Sequence, residues 1–242
     1  MVHTGAGALK EVRDDVVRCT SMRAKLNWAV LPIFSGPLKG DRWLLATRSS
    51  FFFGTYEPGQ TALFCKLVRP GDVVYDVGAH FGYYTLLASK LVGPLGRVLA
   101  FEPSPPNLAR LYRHIELNRC SNVQVLELAV SDHDGVAHFE TRTGSGLGHL
   151  APDGPAEVKV TRLDALQGHP LPNVMKIDVE GAEVGVLQGA TSLLAAAKPT
   201  IFLSLHGDDL KKACLEILAA YGYTFQDIGP LEILALSPKV CS

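Results

Sequence analysis

DVVYDVGAHFGYYT, residues 72–85, is an apolar run that closes on an acid and is followed by a glycine turn and a helix-like segment. Val73, Val74, Tyr75 and Val77 have the β-branched and aromatic bias of a strand buried on both faces of a parallel sheet. Gly78 and Gly82 let backbone approach a ligand closely, and the helix beyond them offers unpaired N–H groups and the positive end of its dipole. Asp76 falls at the carboxyl end of the strand, where open α/β sheets bind their ligands. An ordinary strand, turn and helix would share this local pattern, and it is the next segment that separates the two.

The turn reads Gly78-Ala79-His80-Phe81-Gly82, so the G-x-G-x-x-G order that seats a dinucleotide pyrophosphate is absent. A second predicted strand, Arg97 to Phe101, leads into Glu102, where an acid accepts hydrogen bonds from both hydroxyls of a ribose. Several adenosine ligands share that acid. Asp76 discriminates among them, since a carboxylate attracts ammonium and sulfonium charge but repels a pyrophosphate. S-adenosylmethionine has that charge pattern.

Four segments in order carry a wider likeness: DVGAHFGYYT (76–85), FEPSPPNLARLYRHIELN (101–118), AVSDHDGVAHF (129–139) and VMKIDVEGAEVGVLQGA (174–190). On these the chain resembles the FkbM-type S-adenosylmethionine-dependent methyltransferases of the class I fold, over roughly Tyr56 to Ser204. The resemblance implies a Rossmann-like α/β fold, a doubly wound and mostly parallel seven-stranded sheet closed by an antiparallel pair. It places a methyltransferase domain over 56–242 behind an N-terminal cap over 1–55. S-adenosylmethionine is then the implied cofactor and a small molecule the implied acceptor.

The 242 residues, 47% hydrophobic and 19% charged, suffice for one α/β domain with a sizeable core and a small appendage. A net charge of −1 provides no electrostatic footprint for a nucleic acid or an anionic membrane. Five scattered cysteines, with no C-x-x-C pair, indicate neither a disulfide framework nor a zinc knuckle. No apolar run approaches the roughly 20 residues needed to span a bilayer. Ala29 to Phe34 is short, contains Pro32 and follows a mixed-charge segment rather than a basic leader. A cytoplasmic enzyme is expected, and nothing in the sequence sets its oligomeric state.

Strand and helix signals alternate along the chain. A helix from Tyr56 to about Leu67 ends at Pro70-Gly71, followed by strand 73–77, helix 83–92, strand 97–101, helix 105–118 and strand 123–128. Between Ser131 and Leu163 the pattern breaks into alternating segments, Val136–Glu140 and Val158–Thr161, around a glycine-rich loop over Thr143–Gly154, as in a hairpin. Strand 174–179, one helix over 184–196, strand 200–205, helix 209–221 and strands near 224–228 and 231–236 complete the alternation. The leading region carries a helix-compatible stretch over 9–30. It and the 143–154 loop lie where the motifs run out, and they are expected to select the acceptor.

The expected cofactor residues follow the motifs. Asp76 is expected to orient the turn and approach the methionine amine, or else to cap the helix that starts near Phe81. Gly78, Ala79 and Gly82 form the turn. His80 stands where the family usually has asparagine, and Thr85 either matches the family's terminal threonine or bonds its own backbone. Glu102, followed by Pro103, takes the ribose. By the resemblance Asp132 meets the adenine amino group, with Ser131 beside it at the cofactor, although Ser131 to Gly135 also reads as an ordinary polar turn. Tyr56 and Glu57 lie, by the resemblance, beside the methionine end, although an acid also suits a helix N-terminus there.

Lys176-Ile177-Asp178-Val179-Glu180-Gly181-Ala182-Glu183 supplies the acceptor side. Asp178 and Glu180 are two apart, on one face for as long as the strand lasts, and Glu183 opens the next helix. Two such carboxylates suit general base work on a hydroxyl, or a divalent metal that acidifies it. Alternatively, Glu180 and Glu183 complement the helix dipole while Lys176 neutralises them. Asp178 also borders the cofactor, and His206 at the end of the following strand is a base or a metal partner. The family often has glutamate where this chain has Ser204, so a metal site built on that acid lacks a ligand. No metal ligand set is assigned, and direct base catalysis by Asp178, Glu180 or His206 is favoured.

These residues predict an S-adenosylmethionine-dependent methyltransferase acting on a hydroxyl of a sugar or secondary metabolite. A cofactor-binding protein without turnover, suggested by His80 and Ser204, and a nicotinamide-dependent oxidoreductase, suggested by strand order alone, are the competing expectations. Nucleic-acid methylation is disfavoured by charge and by the lack of an Asn-Pro-Pro-type pocket for a flipped base.

Overall fold

The computed structural model describes residues 28–45, 47–140, 148–151 and 153–238. Most of the helix-compatible stretch 9–30 and half of the 143–154 loop lie outside them. The chain divides into two compact units, Met1–Thr55 and Tyr56–Ser242. In the first, β1 (Val30–Pro32) pairs antiparallel with β2 (Arg42–Leu44), and a single-turn helix α1 (Ser49–Phe52) follows. Trp43 packs on Phe51 with ring centroids 5.2 Å apart, and both are buried.

The second unit holds α2 (Pro58–Leu67), β3 (Val73–Val77), α3 (Tyr83–Val92), β4 (Arg97–Phe101), α4 (Pro105–Leu117) and β5 (Val123–Leu126). After an excursion come β10 (Val174–Ile177), α5 (Glu183–Gln188), α6 (Thr191–Ala197), β11 (Thr200–Ser204), α7 (Asp208–Ala220), β12 (Thr224–Gly229) and β13 (Glu232–Leu236). Seven strands form one sheet in the order β12-β13-β11-β10-β3-β4-β5. Every pairing is parallel except those of β13, which runs antiparallel to both β11 and β12. This is the doubly wound, mostly parallel sheet that the resemblance implied.

Strands inside such a sheet are covered on both faces, so apolar residues run continuously rather than alternate. All four residues of β10 are buried, as are the last four of β3 and β4. Tyr75, Leu99, Met175 and Ile201 pack against Val186, Leu187, Leu194 and Leu218 from α5, α6 and α7. Ala100 on the other face meets Leu108 and Leu111 of α4. Burying one such side chain contributes about 1.5–3 kcal/mol.

The excursion is a separate four-stranded sheet of β6 (Ala129–Val130), β7 (Gly135–Glu140), β8 (His149–Leu150) and β9 (Ala156–Thr161), in the order β6-β9-β7-β8. Its β7–β9 pair is the expected hairpin-like element. The predicted strand 123–128 ends at Leu126, and Ala129–Val130 joins this second sheet instead.

Two further elements differ from the sequence expectation. The helix expected over 184–196 is two helices, and between them the backbone at Gly189 passes so close to Ser131 that a Cβ there would lie 2.0 Å from the Ser131 carbonyl oxygen. Asp164, far upstream, starts the second helix by accepting hydrogen bonds from the backbone N–H groups of Ser192 and Leu193. The strand expected over 174–179 stops at Ile177. Among the described residues no helix is long and apolar enough to cross a membrane.

Candidate active site

The carboxyl ends of β3, β4, β10 and β11 bring the expected residues to one edge of the sheet. Gly78 (φ 87°) turns the chain out of β3, and a Cβ on it would fall 1.9 Å from the Asp178 carbonyl oxygen. Only glycine lets the two strand ends approach this closely. The backbone N–H groups of Gly78 and Ala79 donate to the Phe101 carbonyl, tying the turn to β4. Asp76 is buried and its Oδ2 accepts a hydrogen bond from Thr85 Oγ1 at 2.5 Å. It therefore does not cap α3, which carries no side-chain cap, and Thr85 does not bond its own backbone. Burial pushes the Asp76 carboxyl up to about 6, against the pull of Thr85 and Lys176.

Glu102 continues directly from β4 and is almost wholly buried. Its Oε2 accepts from the His80 backbone N–H at 2.8 Å, and its Oε1 accepts from the Ser104 N–H at 2.9 Å and from Asn107 Nδ2 at 3.2 Å. Three N–H donors favour the charged form, yet burial outweighs them and raises the carboxyl to about 7. His80 itself adopts φ 53°, which aims its N–H at Glu102, and its ring stacks on Phe81 at 3.7 Å. Pro103 follows Glu102 and restricts the exit from the strand.

The acceptor-side residues converge although β10 ends early. Asp178 and Glu180 are not on the strand, and Glu180 has φ 53°. Even so, donor atoms of Asp178, Glu180 and His206 lie within 4.8 Å of one another. His206 Nε2 is 3.1 Å from Glu180 Oε2 and 3.7 Å from Asp178 Oδ1, while Nδ1 lies 2.7 Å from Glu183 Oε1. The hydrogen bond to Glu183, against some desolvation and with help from the other carboxylates, raises the imidazole pKa.

Lys176 does not neutralise Glu180 and Glu183. Fully buried under the sheet edge, its Nζ donates to Asp178 Oδ2 at 3.0 Å and to Ser204 Oγ at 2.8 Å. Burial opposes both charges, but their mutual attraction prevails, raising the Lys176 pKa and lowering that of Asp178. Ser204 thus belongs to the lysine and not to the Asp178–Glu180–His206 group.

Glu57 has φ 40° at the start of α2, and its Oε2 accepts from Gln60 Nε2 at 2.6 Å and Tyr84 Oη at 2.9 Å. Tyr56 packs edge-on against Tyr83 at 5.0 Å. Asp132 is half exposed beyond β6, hydrogen bonded to Ser131 Oγ and to His133 Nδ1, whose bond holds its carboxyl below the usual range.

Sequence reasoning missed three contributors and gave Glu183 little weight beyond a helix-dipole role. Asn107 and His114 sit on the helix that follows Glu102. The buried His114 holds the Phe81 carbonyl through Nδ1 at 2.7 Å. Tyr84 adds its hydroxyl to Glu57 and its ring to Lys176, 5.1 Å away. Polar residues at positions that helical spacing assigns to the core were the available signal.

Comparison with known proteins adds family evidence to this geometry. The domain model for the methyltransferase FkbM domain matches residues 76–225. Over 128 residues the chain is 33% identical to hexuronic acid methyltransferase AglP of Haloferax volcanii, a match covering 51% of this chain and 52% of that protein. Over 102 residues it is 37% identical to 31-O-demethyl-FK506 methyltransferase FkbM of Streptomyces tacrolimicus, covering 42% and 38% respectively. The chain therefore spans about half the length, or less, of these curated relatives. Among solved structures, methyltransferase FkbM from Methylobacillus flagellatus superposes with a TM-score of 0.50 at 19% identity, over 77% of this chain and 52% of that one, a likeness of fold.

Proposed function

The chain belongs to the FkbM methyltransferase family, and on that premise we propose that it transfers the methyl group of S-adenosylmethionine to a hydroxyl oxygen of a small molecule, a sugar or secondary metabolite. The names of the relatives, one for a hexuronic acid and one for 31-O-demethyl-FK506, support this acceptor class. Bound in the crevice, the cofactor supplies an electrophilic methyl group on a sulfonium.

The donor set fits that group. Glu102 is a buried carboxylate whose protein partners are all N–H donors, and its remaining acceptor capacity suits two ribose hydroxyls. Asp76 and Glu57 provide negative charge for the ammonium, and Asp132 provides an acceptor for the adenine amino group. Gly78 and Gly82 leave room at the turn where a Cβ would collide with Asp178 or Leu111. Methyl displacement needs little covalent help, so alignment of the reacting atoms at about 3 to 3.5 Å and exclusion of water carry most of the catalysis. The hydroxyl proton leaves through the Asp178–Glu180–His206 group, a step that contributes about 10² to 10⁴-fold in general base systems.

Glu102 is the observation that carries this reading, because one carboxylate joins the expected ribose position to the turn after β3. Calorimetric titration with S-adenosylhomocysteine tests it. Glu102→Ala is expected to weaken binding by well over tenfold; unchanged affinity would overturn the assignment.

A further inference from the structure

The acceptor side of the crevice gathers three carboxylates, Asp178, Glu180 and Glu183, around one imidazole, His206. Lys176 is committed to Asp178 and Ser204. Glu180 and Glu183 both approach the His206 imidazole, one at each ring nitrogen. Glu183 is fully buried, and its Oε2 has no hydrogen-bond partner. A buried carboxylate left in that state is costly unless a cation stands nearby.

The Glu180–His206 separation matches a coordination sphere, and Asp178 stands slightly outside one. Two ligands on one ion, at bond lengths of about 2.1 Å, lie about 3.0 Å apart in a cis octahedral arrangement and about 3.4 Å apart in a tetrahedral one. His206 Nε2 lies 3.1 Å from Glu180 Oε2 and 3.7 Å from Asp178 Oδ1. Glu183 meets a separate requirement, since a metal-bound histidine almost always gives its other N–H to a carboxylate that fixes its tautomer. Its Oε1, 2.7 Å from Nδ1, leaves the Nε2 lone pair facing Asp178 and Glu180. The side chains of Asp178, Glu180 and His206 keep 25%, 27% and 31% of their surface exposed, an entry path for an ion. Position 204 does not weaken the site, because Ser204 faces Lys176.

We propose that Asp178, Glu180 and His206 bind a divalent transition ion of the Mn²⁺ type, with Glu183 as the positioning residue for His206. Imidazole beside two carboxylates suits such an ion better than Mg²⁺ or Ca²⁺, which prefer all-oxygen shells. Three protein ligands leave coordination positions open for two adjacent oxygens of the acceptor, so the substrate class narrows to vicinal diols, hydroxy acids and similar chelators. With an ion in place Asp178, Glu180 and His206 would serve as ligands in place of their role as the base, and the ion would acidify the bound hydroxyl, whose proton passes to water. This role for the ion rests on the methyl-transfer reading, whereas binding of the ion does not.

The test uses chelator-stripped whole protein titrated with Mn²⁺ alone, the free ion being followed by electron paramagnetic resonance. One ion per chain is expected to leave the free signal. Glu180→Gln and His206→Gln should each weaken binding at least tenfold, and Glu183→Gln by about 10- to 100-fold. Binding of S-adenosylhomocysteine, measured on the same samples, reports whether each variant is folded. A wild-type protein that binds S-adenosylhomocysteine and leaves all Mn²⁺ free would overturn the ion site alone and spare the methyl-transfer reading. Mn²⁺ affinity unchanged in both Glu180→Gln and His206→Gln would overturn it equally. Mn²⁺ binding without S-adenosylhomocysteine binding would uphold the ion site and overturn the cofactor assignment.

Discussion

Cofactor affinity should depend on pH through Glu102. Ribose hydroxyls donate to an ionised carboxylate, whereas a protonated acid presents a competing donor, so the ligand selects the charged form. With the carboxyl raised to about 7 by burial, roughly one tenth of the ligand-free protein is ionised at pH 6 and about nine tenths at pH 8. Affinity for S-adenosylhomocysteine should therefore rise about tenfold between those values, about 1.4 kcal/mol. Asp76, at about 6, adds roughly a further twofold over the same range. The ligand's own amine and carboxyl keep their charges between pH 6 and 8. Calorimetry in two buffers of different ionisation enthalpy should also detect a proton released on binding at pH 6. In Glu102→Gln the tenfold component should vanish and leave the twofold one. An affinity that is flat, or that falls as pH rises, would refute the reasoning. The same shift fixes the sign for stability. In the ligand-free fold the contribution of Glu102 is fully present below the ordinary carboxylate pKa of about 4.5 and is lost as pH rises through about 7.

Two substitutions test the supports beneath the site. Gly78→Ala places a Cβ 1.9 Å from the Asp178 carbonyl at φ 87°, so strain and overpacking should cost at least about 2 kcal/mol in urea unfolding and abolish S-adenosylhomocysteine binding; near wild-type values in both would contradict the close approach. Lys176→Met removes the partner of Asp178 inside the sheet and should cost about 3–5 kcal/mol, and a loss below about 1 kcal/mol would mean that the ion pair does not hold this edge together.

The fold was legible where its cause is local. β3, α3 and β4 lie at the predicted residues because their apolar runs, glycine turn and helix starts are all contained in 72–101. Elements shaped by distant contacts were not legible. The need for glycine at 189 comes from the Ser131 carbonyl, and the start of α6 depends on Asp164, neither of which any window around 184–196 contains. The site divides the same way. Asp76, Glu102 and Asp178 stand at strand ends that the motifs mark. Glu183 was read as a helix-dipole acid because nothing in the sequence places it beneath His206, 23 residues further on. Ser204 was judged by what it is not, and only the structure reveals its bond to Lys176.

The packing of α5 against the strand-end loop has a consequence for mutational scans. A Cβ on Gly189 would meet the Ser131 carbonyl, and one on Gly185 would lie 2.8 Å from Ser131 Oγ. Both glycines would score as cofactor contacts in any activity screen, although what they touch is the residue next to Asp132. The two differ in epistasis: Ser131→Ala deletes the oxygen that opposes Gly185→Ala, whereas no side-chain change at 131 removes the backbone atom that opposes Gly189→Ala. A lineage can therefore drift at position 185 once 131 has changed, while position 189 stays frozen for as long as the backbone at 131 passes this close.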